Sequence, residues 1–225
     1  MMVNVEYINN AGYVVETEKA VYIFDYVEGL LPSRYLYSEK ETFFFVTSRH
    51  RNHYNESIYS YGKTVILSSD ILVSPYRNVF MMEPGDEIHL GFAKVRTYES
   101  TGGGVCYLIQ EGDLKILHAG SLNNWHWKDT FTPAESRFET HHFHEILQDI
   151  AVYAPIDILM FTLEPSMGED FDRGAREALD LLQPLCFFPI KTKHDDSRFF
   201  NWAMSRPITT CYEPKHDNQV FRNVI

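Results

Sequence analysis

The sequence predicts an α/β fold in which β-sheets pack together with helices on the outside. Three observations lead there. The first half of the 225 residues is a series of short segments rich in β-branched and aromatic side chains. The second half alternates helical and strand-like periodicity. No Pro-rich linker, low-complexity tract or solenoid repeat interrupts the chain, which can bury one large core or two small ones, and residues 1–225 are expected to fold as a single domain.

Residues 3–8, 12–17 and 20–24 read as strands, separated by Asn9-Asn10 and Glu18-Lys19. Residues 43–47 are continuously apolar rather than alternating, the pattern of a strand covered on both faces. A short helix is expected at 56–61, then strands at 64–67, 79–82, 94–98, 105–110 and 115–118. Turns fall at Pro84-Gly85-Asp86, Gly102-Gly103-Gly104 and Glu111-Gly112-Asp113. The glycine run lacks the G-x-G-x-x-G spacing and opens no helix, so it is a turn and not a nucleotide fingerprint. A helix is expected at 134–153, where Phe138, Phe143, Ile146, Leu147, Ile150 and Val152 form the apolar stripe after Pro133. Strands at 156–161 and 186–190 then alternate with helices at 172–182 and 195–204. Asp195-Asp196 suits the electropositive amino end of the last helix.

Composition narrows the function classes. Twenty Lys and Arg against 31 Asp and Glu give a formal charge of -11, which disfavours nucleic acid and anionic membrane as partners. No apolar run reaches the length of a membrane span, and residues 1–7 lack the basic and apolar regions of a signal peptide. The three cysteines, Cys106, Cys186 and Cys211, are far apart and form no C-x-x-C pair. A cytoplasmic setting is expected. No G-x-S-x-G elbow is present.

The densest chemistry lies directly after Phe43-Phe44-Phe45-Val46, in Ser48-Arg49-His50-Arg51-Asn52-His53. A buried strand emptying into a His-rich loop is a common way to present metal ligands. The loop resembles the H-x-H-x-D-H motif of the metallo-β-lactamase superfamily, with Ser48 at the first His and Asn52 at the Asp. Four further segments resemble that superfamily in the right order, its lactonase-like branch included. They are Gly12 through Phe24-Asp25, then His118-Ala119-Gly120-Ser121-Leu122-Asn123-Asn124-Trp125-His126-Trp127 with Ser121 at the bridging Asp. Leu163 to Asp170 follows, with Glu164 for Asp, and then Phe187-Phe188-Pro189-Ile190-Lys191, with Lys191 at the last ligand His.

The resemblance implies an αββα sandwich and a pocket lined by Ser48, His50, Asn52, His53, His118, Ser121 and Lys191. Active members hold two zinc-type ions. Here the first site would keep only His50 and His118, and the second only His53, short of the three protein ligands catalytic zinc needs. An ammonium at a ligand position would oppose a dication by roughly 8 kcal/mol at about 4 Å and an effective dielectric of about 20. The expectation is therefore an eroded two-metal site with no metal at full occupancy and little or no hydrolysis. Lys191, with Arg49 and Arg51 nearby, would suit a small anion. The alternative is one zinc or other divalent ion on His50, His53 and His118, hydrolysing a small ester, lactone or phosphoester. Trp125, His126 and Trp127 could wall the pocket or simply pack. His141 and Glu145, four apart on a helix, and His194 with Asp195 and Asp196 are weaker metal candidates. The ligand class is a small molecule; substrate and oligomeric state are left open by the residues.

Overall fold

Fourteen strands and four α-helices form among residues 2–73, 77–127, 130–190, 197–205 and 208–225, which a computed structural model describes. In chain order the strands are β1 (Asn4–Asn9), β2 (Gly12–Glu16), β3 (Ala20–Phe24), β4 (Glu41–Val46), β5 (Thr64–Ser68), β6 (Val79–Met82) and β7 (Glu87–His89). There follow β8 (Ala93–Glu99), β9 (Val105–Glu111), β10 (Leu114–His118), β11 (Ile158–Thr162), β12 (Cys186–Ile190), β13 (Thr210–Cys211) and β14 (Gln219–Phe221). The helices are α1 (Ser33–Leu36), α2 (Pro133–Ala151), α3 (Arg173–Leu182) and α4 (Ser197–Met204). The segment expected to be a short helix, Glu56–Tyr61, is a 3-10 helix capped by the Asn55 side chain on Ser57 N–H.

The strands build two seven-stranded mixed sheets, ordered β14-β1-β2-β3-β4-β5-β6 and β13-β12-β11-β10-β9-β8-β7. The first lies in a compact unit of residues 1–83 with 214–225, the second in a unit of residues 84–213. Each sheet has three antiparallel pairings followed by three parallel ones. The register repeats as well. Phe24 pairs with Phe45 in one sheet and His118 with Met160 in the other, and two residues beyond each partner stands a fully buried threonine, Thr47 or Thr162.

In the first unit, Ile8, Val14, Val21, Ile23, Phe44, Val46, Val65 and Leu67 share a core with Tyr35 of α1 and Ile58 of the 3-10 helix. Residues on the alternate face, such as Tyr22, Phe24, Phe45 and Ile66, are also buried, as continuously apolar parallel strands require. The carboxylate of Glu6, 1% exposed, accepts from Tyr35 OH (2.7 Å) and Asn218 Nδ2 (3.0 Å) and pairs with Arg34, tying β14 and α1 to β1.

In the second unit, α2 starts on a capping box. Thr132 Oγ1 accepts from Glu135 N–H, and Glu135 Oε2 accepts from Thr132 N–H at 2.7 Å. Its apolar stripe is Phe143, Ile146, Leu147 and Ile150, packed with Ala175, Ala178, Leu179 and Leu182 of α3 and with Phe199 and Trp202 of α4. Phe138 and Val152, expected on that stripe, are 66% and 75% exposed. Phe138 lies five residues before Phe143, about 140° round the helix, and Val152 caps its end. The last helix was expected from 195; it is described from Ser197, and Asp195 and Asp196 lie outside the described residues. No helix among the described residues is long and apolar enough to cross a membrane.

Candidate functional site

In the first unit, β3 ends at Asp25, whose left-handed φ of 45° is one of the conformations Asp tolerates. Its N–H donates to Phe45 O (2.8 Å), which anchors the residue against the end of β4. The fully buried carboxylate then meets three groups. Thr47 N–H donates to Oδ1 (2.8 Å), Thr47 Oγ1 donates to Oδ2 (2.7 Å), and His53 Nδ1 lies 2.6 Å from Oδ2. A carboxylate only accepts, so His53 carries its proton on Nδ1 and Nε2 keeps the lone pair of the neutral ring. The loop reaches His53 through a single turn in which His53 N–H and Tyr54 N–H both donate to His50 O. Ser48 is buried and its Oγ accepts from His50 N–H (3.2 Å).

His50 is oriented differently. Its side chain is exposed, its ring lies 6.3 Å from that of His53, and Asn52 N–H donates to its Nδ1 (3.4 Å). The proton of the neutral ring is then on Nε2. Arg49 and Arg51 are exposed on the same loop, with Arg49 N–H donating to Asp70 Oδ2 (3.1 Å).

In the second unit, β10 delivers His118, fully buried, with Gly120 N–H donating to its Nδ1 (3.2 Å). This ring too has its neutral-form proton on Nε2. Thr162, the counterpart of Thr47, donates to Gly120 O (3.1 Å) and holds the turn that follows His118. Ser121 is buried, and its carbonyl accepts from Trp125 Nε1 (3.0 Å). Gly102 belongs to that arrangement, since a Cβ there would stand 2.5 Å from Ser121 O. Trp125 and Trp127 stack at 5.7 Å, so the aromatic cluster packs on itself. His141 and Glu145 make an exposed i,i+4 pair (3.4 Å). Lys191, His194, Asp195 and Asp196 lie outside the described residues.

Neither Cys106 nor Cys186 is a nucleophile of the activated kind. Burial pushes the Cys106 thiol far up, and burial, partly offset by a hydrogen bond to Tyr212, raises Cys186 to about 11.

Solved structures give the architecture its name. Igni18, a metallo hydrolase from the archaeon Ignicoccus hospitalis, superposes with a TM-score of 0.72 at 12% identity, over 99% of this chain and 98% of that one. YhfI of Bacillus subtilis, a metallo-β-lactamase fold protein, matches at 0.66 and 8% identity, over 99% of this chain and 100% of its own. The chain has the metallo-β-lactamase fold. CmlA, a diiron β-hydroxylase from Streptomyces venezuelae, is also similar (TM-score 0.64, 16% identity), although this chain, covered over 98%, spans only 54% of it. The metallo-β-lactamase fold thus accompanies more than one chemistry, and the site has to be argued from its own residues. No protein-family model matches the sequence, and no curated protein matches it.

Such relatives imply a divalent ion, and the donor groups here can be tested against one. His50 and His118 direct their Nδ1 lone pairs at backbone N–H groups, so each would have to give up a hydrogen bond to ligate through that atom. Ser48, Asn52 and Ser121 bring no negative charge. Among the described residues no three His, Cys, Asp or Glu side chains come together as a potential metal group. Of His50, His53 and His118, His53 is held by the carboxylate of Asp25, the carboxylate–imidazole form usual for a metal ligand. The donor set does not fit a two-metal centre.

Asp25 and Thr47 are the functional positions that sequence reasoning passed over. Asp25 was visible only as the end of a Phe-Asp dipeptide, and nothing in its spacing pointed to a histidine 28 residues away.

Proposed function

We propose that this metallo-β-lactamase-fold protein has lost two-metal hydrolysis and instead binds a small anionic molecule. The observation that supports the reading is the hydrogen bonding at Nδ1 of its imidazoles, from which their neutral tautomers follow. Two of the three retained histidines, His50 and His118, present Nε2–H, a donor suited to an oxyanion, where a metal needs a lone pair. Replacement of carboxylates by Ser121 and Asn52, and the cations Lys191, Arg49 and Arg51, favour the same ligand class. That these residues share one pocket rests on the sequence resemblance.

Elemental analysis after zinc or manganese loading and dialysis should find well under one ion per chain. Ser48→His, Asn52→Asp, Ser121→Asp and Lys191→His combined should raise uptake towards two. Near-stoichiometric, chelator-sensitive metal in the wild type would overturn the proposal in favour of a second reading, hydrolysis of a small ester, lactone or phosphoester with one ion. The Asp25–His53 pair favours that alternative, because it leaves His53 Nε2 in ligand form; His50, His53 and His118 would hold the ion.

A further inference from the structure

A second basic cleft lies wholly within the unit formed by residues 84–213. It has a volume of about 530 Å³ and is walled by His126, Arg137, Thr140, His141, His144 and Arg173, with Ser136 completing it. That size is in the range of small-molecule pockets, roughly 300–1,000 Å³. Among the described residues no carboxylate lines it, although the chain carries 31 acids against 20 Lys and Arg. Two guanidiniums, three imidazoles and two hydroxyls line one concave wall, with Glu177 paired to Arg173 and His144, Asp170 to His126 and Glu145 to His141.

The wall is held by a buried polar framework. Asn124, fully buried, donates through Nδ2 to Glu177 Oε2 (2.8 Å) and accepts from Thr140 Oγ1 (2.9 Å). His144 Nε2 meets the same Glu177 oxygen at 3.2 Å. Glu177 Oε1 takes the Nε edge of Arg173 (3.3 Å), while Nη1 of that guanidinium lies 3.1 Å from Nε2 and 3.2 Å from Nδ1 of His126. His126 is 8% exposed, with Asp170 Oδ2 3.5 Å from its Nε2. Among the described residues no carboxylate pairs with Arg137, which is exposed on α2. The framework therefore fixes a guanidinium and an imidazole side by side at the cleft, next to Arg137, which has no carboxylate partner among the described residues.

We propose that this cleft binds a small molecule bearing a phosphate monoester group, with Arg137 and Arg173 as its charged contacts and the Ser136 hydroxyl and the His126 ring as further polar contacts. Two guanidiniums match a dianion better than a single carboxylate, and their planar forks suit its oxygens. His126 also lines a cavity of about 390 Å³ with Trp127, Thr130, Met167 and Glu169, which gives the uncharged remainder of such a molecule an aromatic wall and a carboxylate acceptor.

Isothermal titration with inorganic phosphate at constant ionic strength tests this, on wild type and on Lys191→Ala. Saturable binding is expected in both, weakened at least about tenfold by Arg137→Gln and by Arg173→Gln, with Arg173→Lys intermediate. Arg137→Gln is the safer variant for folding, because Arg137 is exposed and pairs with no carboxylate among the described residues. Native circular dichroism accompanied by undiminished phosphate binding in both Gln variants would overturn the assignment. So would loss of all binding in Lys191→Ala alone, which places the anion at the His-loop pocket instead. Absence of saturable binding in the wild type would also end it.

Discussion

Asp25 is the residue on which the His loop is organised. Its carboxylate receives the Thr47 N–H, the Thr47 hydroxyl and His53 Nδ1, all without access to water. Removing it takes a shared partner from three buried polar groups at once, of which the Thr47 hydroxyl and His53 Nδ1 lie 3.1 Å apart, and such a loss costs about 3 kcal/mol. Asp25→Ala is therefore expected to lower unfolding free energy in urea by that amount, with Asp25→Asn in between. A change below about 1 kcal/mol would show that the carboxylate is not the anchor. The histidines themselves were legible in the sequence as a loop after an apolar strand. Their tautomers were not, because each is set by a backbone N–H or carboxylate that only folding brings into range.

Strand and helix positions followed from periodicity wherever an element was long enough to show one. β3, β6 and β12 lie where the apolar segments end, and the stripe of α2 carries its core contacts. β7, β13, β14 and α1 span only two to four residues, and no pattern can register over such lengths. They exist because a neighbour supplies the pairing, as β1 does for Gln219–Phe221. A tight element contact gives a test. Gly174, in the first turn of α3, faces Asn123 Oδ1 and lies against Asn124, whose N–H would be 2.7 Å from an added Cβ. Alanine would favour an isolated helix by about 1 kcal/mol, but backbone here cannot retreat and overpacking costs typically 1–3 kcal/mol. Gly174→Ala is expected to be net destabilising in denaturant titration, and to weaken phosphate binding through the displaced Asn124. A neutral or stabilising result would mean that the Asn123-Asn124 segment yields freely.

At the scale of the whole molecule, charge and topology act separately. A net charge of -11 sets the long-range field, and small basic clefts cannot reverse it over the length of a duplex. Duplex DNA should therefore not be retained at physiological salt, even at ~10 µM protein, in a filter-binding assay. Retention with a steep salt dependence would contradict the assignment of the Arg-bearing surfaces to small anions. Topology contributes the repetition of one strand pattern in both sheets, which puts Thr47 and Thr162 at equivalent strand ends, each bracing the turn after the preceding strand.

The sequence alone determined the apolar strands, the helical stripe, the acidic balance and the order of the five motif segments, because these depend on side-chain type and spacing along the chain. Tertiary structure decided which partner meets Nδ1 of each imidazole, that Asp25 anchors His53, and that α2, α3 and the loop after β10 line a cleft. Those outcomes depend on groups far apart in sequence meeting at hydrogen-bonding distance, and linear periodicity carries no record of such meetings.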